Sequence, residues 1–412
     1  MVKILHFADA HIDLANFGQH DPQTNLPLRV LDFLRSLDEI VTTAIEERVD
    51  LVLFGGDAFK DRNPSPTYQR EWGKRIMRLS RENIPTVLLV GNHDMTPAIG
   101  RAHTLEAFDT LEVPYVHVID QPRLLLPGDL DGLPLQIMAL PWLSRSRLMA
   151  ALNLSLTELR AIDEAIDSRL RTILNDWFGH IDPSLPTIFA AHATVEGAKY
   201  GAERSVMLGN DFLLNISLLR DERLDYAALG HIHLAQDLNP GRHPPIIYPG
   251  SIERVDFGEA KDDKYFVVAE VERGQTRVHW HKLTHIRPFI ELRCRLEEAD
   301  SAMEQILATL PTPQQLQGAI VRLLIEYPVE IQPLIDEQTI RQATANAFEF
   351  HLVRRPVLNS RTRLPEHLLI SNLTPKELLK LYLQANHSQT EDIDDLLALA
   401  DSIFSQGEES ER

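Results

Sequence analysis

The sequence predicts an α/β protein: a four-layer sandwich of two facing sheets flanked by helices, then a small α+β domain and a C-terminal helical pair. Three observations carry this expectation. Apolar runs of strand length at 2–8, 51–55, 86–90, 187–191 and 226–229 alternate with amphipathic helical patterns, the rhythm of a layered α/β fold. Each of those five runs stops abruptly at residue types that bind metals. From His285 the rhythm changes to shorter, regularly alternating segments, the sign of a second domain.

Taken in order, the helical patterns between the first strands cover 30–48, 67–82 and 155–178. The last opens with Ser155-x-x-Glu158, a capping box in which each side chain satisfies a backbone N–H at the helix start. Segments 246–248, 265–271 and 277–283 alternate like strands, and the turn "ERGQ" joins the last two into a hairpin. Residues 1–284 therefore form one domain. Residues 285–355 read as a βαβαβ unit, with strands at 289–296, 319–326 and 347–353 and helices at 299–310 and 336–345. A linker at 356–371 is rich in arginine and proline. The helical pair spans 372–405. It opens with Thr374-Pro375-x-Glu377, an N-cap, a first-turn proline and a capping acid, and Leu378, Leu381 and Tyr382 share one face. In its second helix Ile393, Leu396, Leu397, Ala400, Ile403 and Phe404 form an apolar stripe. Two short helices cannot bury such faces by themselves and require a partner surface, either their own domain's or another chain's. Residues 406–412 are an acidic tail.

Bulk properties narrow the function classes. No apolar stretch approaches the roughly 20 residues of a membrane helix, and the N-terminus lacks the apolar core of a signal peptide, so a cytoplasmic protein is expected. A single cysteine, Cys294, excludes an internal disulfide and a thiolate metal cluster. The net charge of −19 opposes a simple nucleic-acid binder, although metal-binding carboxylates and the acidic stretch 391–411 contribute to it. A basic group of Arg354, Arg355, Arg361 and Arg363 lies just upstream.

The strand ends carry the chemistry. They supply Asp9 and His11 in "FADAHID", Asp57 in "LFGGDAF", Asn92, His93 and Asp94 in "LLVGNHD", His192 in "FAAHATVEG", and His231 and His233 in "ALGHIH". Ligands of open α/β sheets bind beyond the carboxyl ends of the strands, so these ends can converge on one crevice. The i, i+2 spacing in extended chain aims Asp9 with His11, and His231 with His233, to one side. Imidazole nitrogens, carboxylates and one amide oxygen, without sulfur, suit two divalent ions better than a closed structural zinc site. The expected sets are Asp9, His11, Asp57 and His233 for one ion, and Asp57, Asn92, His192 and His231 for the other, with Asp57 bridging. His93 is left to face the substrate and to stabilise or protonate developing charge. One histidine at a strand end is commonly structural; five concordant ends are not. His279 and His281 in "VHWHKL" have no acid beside them and read as structural or surface residues. Trp72, Trp142, Trp177 and Trp280 read as core or interface residues rather than base-stacking platforms.

These motifs resemble the calcineurin-like metallophosphoesterase superfamily, with its order Asp-x-His, Gly-Asp, Gly-Asn-His-Asp, His and Gly-His-x-His. Within it, the chain resembles the SbcD family of DNA repair exonucleases over nearly its whole length, including "YPGSIERVDFGEAKDDKYFVVAEV" at 248–271. The resemblance implies 3′→5′ exonuclease and single-strand endonuclease activity on DNA with two divalent metal ions, Mn²⁺ in preference to Mg²⁺. It further implies that 285–355 caps DNA, that 372–405 docks on a coiled-coil ATPase of the SbcC type, and that a homodimer builds a two-plus-two heterotetramer. Archaeal and eukaryotic members have a histidine three residues after the second-motif aspartate; here that position is Lys60, either a phosphate contact or a solvated loop lysine. Arg62, Lys199, Arg204, Arg254 and Lys261 are the other candidate contacts to the DNA backbone. Two other classes compete: a phosphoesterase for small molecules or phosphoproteins, which leaves the C-terminal third without a use, and a non-catalytic scaffold, which would be expected to lack ligands.

Overall fold

A computed structural model describes residues 1–16, 19–95, 102–143, 159–201, 212–357 and 375–386, with 396, 397 and 400. The chain divides into two compact units. One comprises residues 1–291, 312–321 and 346–350; the other comprises 292–311, 322–345 and 351–412.

Among the described residues, fourteen strands lie wholly in the first unit. They are β1 (Val2–Phe7), β2 (Leu51–Phe54), β3 (Thr86–Leu89), β4 (Val116–Ile119), β5 (Arg123–Leu125), β6 (Gln136–Leu140), β7 (Thr187–His192), β8 (Thr194–Val195), β9 (Leu213–Leu214), β10 (Tyr226–Gly230), β11 (Gln236–Asp237), β12 (Ile246–Tyr248), β13 (Tyr265–Glu272) and β14 (Gln275–Lys282). Two six-stranded sheets result, ordered β14-β13-β1-β2-β3-β4 and β11-β12-β10-β7-β6-β5. Strands β1 to β4 run parallel, as do β6, β7, β10 and β12, so their carboxyl ends share a direction within each sheet. The hairpin β13–β14 closes the first sheet antiparallel to β1.

Side-chain alternation along β1 shows how the layers form. Val2 and Ile4 enter the core between the sheets with Leu53, Val87, Ile137, Ile188 and Ala228. Leu5 and Phe7 face the other way, onto helices. Helix Leu28–Glu46 buries Val30, Phe33, Leu34, Leu37, Ile40, Val41 and Ala44, a stripe of helical period. Helix Pro66–Arg81 starts at a proline, whose missing N–H costs nothing in the first turn, and adds Trp72, Ile76 and Leu79 to the same core. On the far side of the second sheet, helix Leu159–Phe178 contributes Ile162, Ile166, Leu170 and Leu174. Burying each such side chain is worth about 1.5–3 kcal/mol, so the order helix–sheet–sheet–helix is set mainly by these three apolar faces. This is the four-layer α/β sandwich.

A further sheet is ordered β15-β16-β17, from β15 (Phe289–Arg295), β16 (Ile320–Pro328) and β17 (Glu349–Val357), and most of its residues fall in the second unit. Between these strands lie helices Ala302–Thr309, Pro313–Leu316 and Glu337–Ala343. The Asp336 carboxylate caps the last of these by accepting the N–H groups of Gln338 and Thr339. Helix Pro375–Asn386 follows, and Leu379 and Leu383 pack with the buried Leu397. Ser155, Glu158, Arg204, Arg361, Arg363, Thr374, Ile393, Ile403, Phe404 and the tail 406–412 lie outside the described residues. Among the described residues no helix is long and apolar enough to cross a membrane.

Candidate metal centre

The loops that leave β1, β2, β3, β7 and β10 meet at the carboxyl ends of both sheets. Their first residues adopt unusual backbone: Asp9, His11, Asp57 and His231 have φ of 50°, 39°, 64° and 96°. Left-handed backbone at a residue with a Cβ costs of order 1–3 kcal/mol, so surrounding bonds must hold it. They do. The Asp9 N–H donates to Gly56 O at 2.9 Å, and the Ala10 N–H donates to Asp57 O at 2.8 Å. Asp94 ties the β2 and β3 loops together: its buried carboxylate accepts the N–H groups of Asp57 (2.8 Å), Ala58 (3.0 Å) and Gly91 (2.9 Å) and the Thr104 hydroxyl (3.1 Å). Glycine is required where these loops touch: a Cβ at Gly56 would lie 2.4 Å from His192 Nδ1, and one at Gly91 only 2.1 Å from Asp57 Oδ1.

Two buried triads result. Asp9, His11 and His233 present ligand atoms within 4.8 Å of one another, and so do Asp57, His192 and His231. Asp57 Oδ2 lies between them, 3.9 Å from His11 Nε2 and 3.5 Å from His192 Nε2. Asn92 Oδ1 sits 3.0 Å from both His192 Nε2 and His231 Nδ1.

The donor set fits a pair of cations. The His11 Nδ1–H donates to Phe59 O at 3.2 Å and the His233 Nδ1–H to Glu259 Oε1 at 2.7 Å, which turns both Nε2 atoms toward the same space. These two nitrogens face each other at 3.2 Å, so one cation can lie against both. Burial holds His11 well below its ordinary pKa, which keeps its Nε2 lone pair available to a cation. Burial also pushes the Asp9 carboxyl up to about 6, the charge of His233 pulling the other way. In the second triad burial opposes a charged His192, but the Asp57 carboxylate outweighs it and raises this imidazole to about 9. Without an ion, a proton is drawn into that place.

His93 stands at the mouth. Its main-chain N–H donates to Asp57 Oδ1 at 2.8 Å and its Nδ1–H to Lys60 O at 2.8 Å, so Nε2 carries the lone pair, 3.5 Å from Lys60 Nζ. Lys60, Arg62 and Asn63 line an open cavity of about 620 Å³ beside His93, together with Asp13. Asp13 fixes this loop by accepting the Asp61 N–H at 2.8 Å.

Other candidates fall differently. Arg254 departs from the expectation of a DNA contact: its guanidinium donates to the carbonyls of Glu259, Asp262 and Arg287 at 3.1, 2.9 and 2.9 Å, which commits its fork to the fold. Lys199 and Lys261 are exposed. His279 is exposed and His281 stacks on Phe266, away from the triads. Trp72 is core, Trp177 packs beside the third apolar layer, and Trp280 is exposed. Trp142 is not a core residue: half-buried after β6, it lays its ring 4.8 Å from that of His231 and 6.0 Å from that of His192. The strand-end motifs assign no role to Asp94, Trp142 or Glu259. Asp94 is within reach of sequence reasoning, since it ends "GNHD"; the other two belong to stretches with no metal-binding pattern.

The calcineurin-like phosphoesterase family profile matches residues 2–235. A relative from Rhodobacter capsulatus, named as the D component of the nuclease SbcCD, is 30% identical over 298 residues, covering 68% of each chain. The Escherichia coli protein of the same name is 27% identical, covering 66% of each. A DNA double-strand break repair protein Mre11 of Archaeoglobus fulgidus is 26% identical, over 71% of this chain and 60% of its own. With its paired ligand triads, the chain is therefore a dinuclear-metal hydrolase and belongs to the calcineurin-like phosphoesterase family, among the proteins of the SbcD type.

Proposed function

We propose that the protein hydrolyses phosphodiester bonds of DNA as a nuclease of double-strand-break repair, with 3′→5′ exonuclease and single-strand endonuclease action. The observation that carries this reading is the shared Asp57: two buried triads meet at one carboxylate, and His93 stands beside it with an unprotonated Nε2. Asp9, His11, Asp57 and His233 would hold one divalent ion, and Asp57, Asn92, His192 and His231 the other, with Mn²⁺ favoured over Mg²⁺ by the imidazole-rich set. When bound, the pair supplies a nucleophilic hydroxide at neutral pH and neutralises charge on the phosphate.

The remaining chemistry belongs to side chains. Asp94 holds the loop that aims Asp57, and Lys60 O fixes the His93 tautomer so that Nε2 faces outward. Once protonated there, His93 can donate a hydrogen bond to a phosphate oxygen or give its proton to the departing oxygen. The ammonium of Lys60 and the guanidinium of Arg62 line the cavity on that side, where they can meet backbone phosphates. Residues 285–355 would cap the DNA, and helices 372–405 would dock on an SbcC-type coiled-coil ATPase in a two-plus-two assembly in the cytoplasm. The test mixes the protein with Mn²⁺ and end-labelled duplex or hairpin DNA, alone and with that ATPase. Cleavage that Asp57→Ala and His93→Ala both abolish is expected; turnover of phosphomonoesters without action on DNA would overturn the substrate assignment.

A further inference from the structure

Behind His233 lies a charged pair that the proposed chemistry does not use. Glu259 and Lys264 are each 1% exposed, in a segment whose sequence, "FGEAKDDK", reads as a solvated loop. Burying an ammonium and a carboxylate costs several kcal/mol per ion unless every donor and acceptor is met. Here they are met. Lys264 Nζ donates to Glu259 Oε2 at 2.7 Å, to Ser251 Oγ at 2.8 Å and to His233 O at 3.4 Å, using all three N–H bonds. Glu259 Oε2 also accepts the Val255 N–H at 3.1 Å. Its other oxygen, Oε1, takes the His233 Nδ1–H at 2.7 Å.

The other imidazoles of the two triads are treated differently: His231 Nδ1 faces the Asn92 Oδ1 amide oxygen. His11 and His192 turn Nδ1 onto main-chain carbonyls, those of Phe59 and Gly55. A carbonyl fixes a tautomer; a carboxylate fixes it and makes the opposite nitrogen more basic.

We propose that Glu259, braced by Lys264, is a positioning residue that locks His233 with Nε2 toward the ion shared with Asp9 and His11, and so governs how tightly that one site holds its metal. The ammonium keeps the carboxylate charged and aligned, and the carboxylate keeps the imidazole from turning over. None of the bonds named above involves His192 or His231, so weakening is expected at the one site and not at the other. The inference rests on the two-metal reading and deepens it.

The experiment titrates the metal-stripped full chain with Mn²⁺ alone, following bound ion by electron paramagnetic resonance and calorimetry. Removing only one charge would strand the other in the interior, so both are replaced together. The E259Q/K264M variant keeps an acceptor for His233 Nδ1, whereas E259L/K264M removes it; far-UV circular dichroism checks the fold of both. In E259L/K264M one of the two sites should weaken by about 10–100-fold while the other keeps its affinity. The same site should weaken in His233→Ala, and E259Q/K264M should recover most of the loss. Unchanged affinity in E259L/K264M, or equal weakening of both sites, overturns the proposal and leaves the pair a fold anchor. A loss of the same size in E259Q/K264M also overturns it. A parent protein that binds no Mn²⁺ sinks the two-metal reading itself, an outcome distinct from either.

Discussion

Replacing Gly91 by alanine tests whether the place of the Asp57 carboxylate governs activity. An alanine Cβ at 91 would sit 2.1 Å from Asp57 Oδ1, 2.5 Å from Asp57 N and 2.8 Å from Asp57 Cγ. Relaxed contact lies near 3.5 Å, so the carboxylate must retreat by more than about 1 Å. It cannot retreat freely, because Oδ1 accepts the His93 N–H at 2.8 Å and the Asp57 N–H is held by Asp94. Both metal triads and His93 therefore move together. Misplacement on this scale costs about 10²-fold in turnover, whereas overpacking costs only about 1–3 kcal/mol of stability. Gly73→Ala is the control: nothing lies within 4 Å of its Cβ, it is in helix Pro66–Arg81, and it should stabilise by about 0.5–1 kcal/mol without touching activity. The assay pairs Mn²⁺-dependent oligonucleotide cleavage with thermal unfolding. Parent-level cleavage by a folded Gly91→Ala protein would refute the reasoning, since the bridge would then tolerate displacement.

Further outcomes follow from the same geometry. His93→Gln should lower kcat by about 10²–10⁴-fold while Mn²⁺ affinity, measured by calorimetry, stays at the parent value. Asp32 is 1% exposed and pairs with Arg29 (2.9 Å) and Arg287 (2.7 Å), so Asp32→Ala should cost about 3–5 kcal/mol in urea unfolding, read as a lower midpoint at constant m-value. Stripping metal with a chelator should abolish cleavage and lower the melting temperature; Mn²⁺ at about 100 times its Kd returns about 2.7 kcal/mol per site. Because His192 is held at about 9 without an ion, it is protonated at pH 7, and an incoming Mn²⁺ must displace that proton. Apparent affinity at this site should therefore rise with pH up to about 9, with proton release visible as a buffer-dependent binding enthalpy.

Much of the site is legible in the sequence because its residue types fall at strand ends, and parallel strands bring those ends together. The strands at 2–8, 51–55, 86–90, 187–191 and 226–229 emerge within about a residue of their observed bounds. Strands β4, β5 and β6 are not: only three to five residues long, they lie among prolines and glycines. The left-handed backbone at Asp9, His11 and Asp57 is equally hidden, because only glycine announces positive φ in a sequence. Arg254 misleads for another reason: its guanidinium is taken up by main-chain carbonyls that the fold brings to it, and a local charge pattern reads as solvent-facing.

The pairing of β13 with β1 has a bearing on how the chain reaches its native state. The second strand partner of β1 is not made until some 260 residues after β1 itself: Val2 sits opposite Val271, and His6 opposite Val267. Until that hairpin emerges, β1 keeps one naked edge, and a fragment ending at 235 would expose it permanently to pairing with other molecules. Such distant registration makes for slow maturation, with a nascent amino-terminal half that benefits from shielding before the sheet can close.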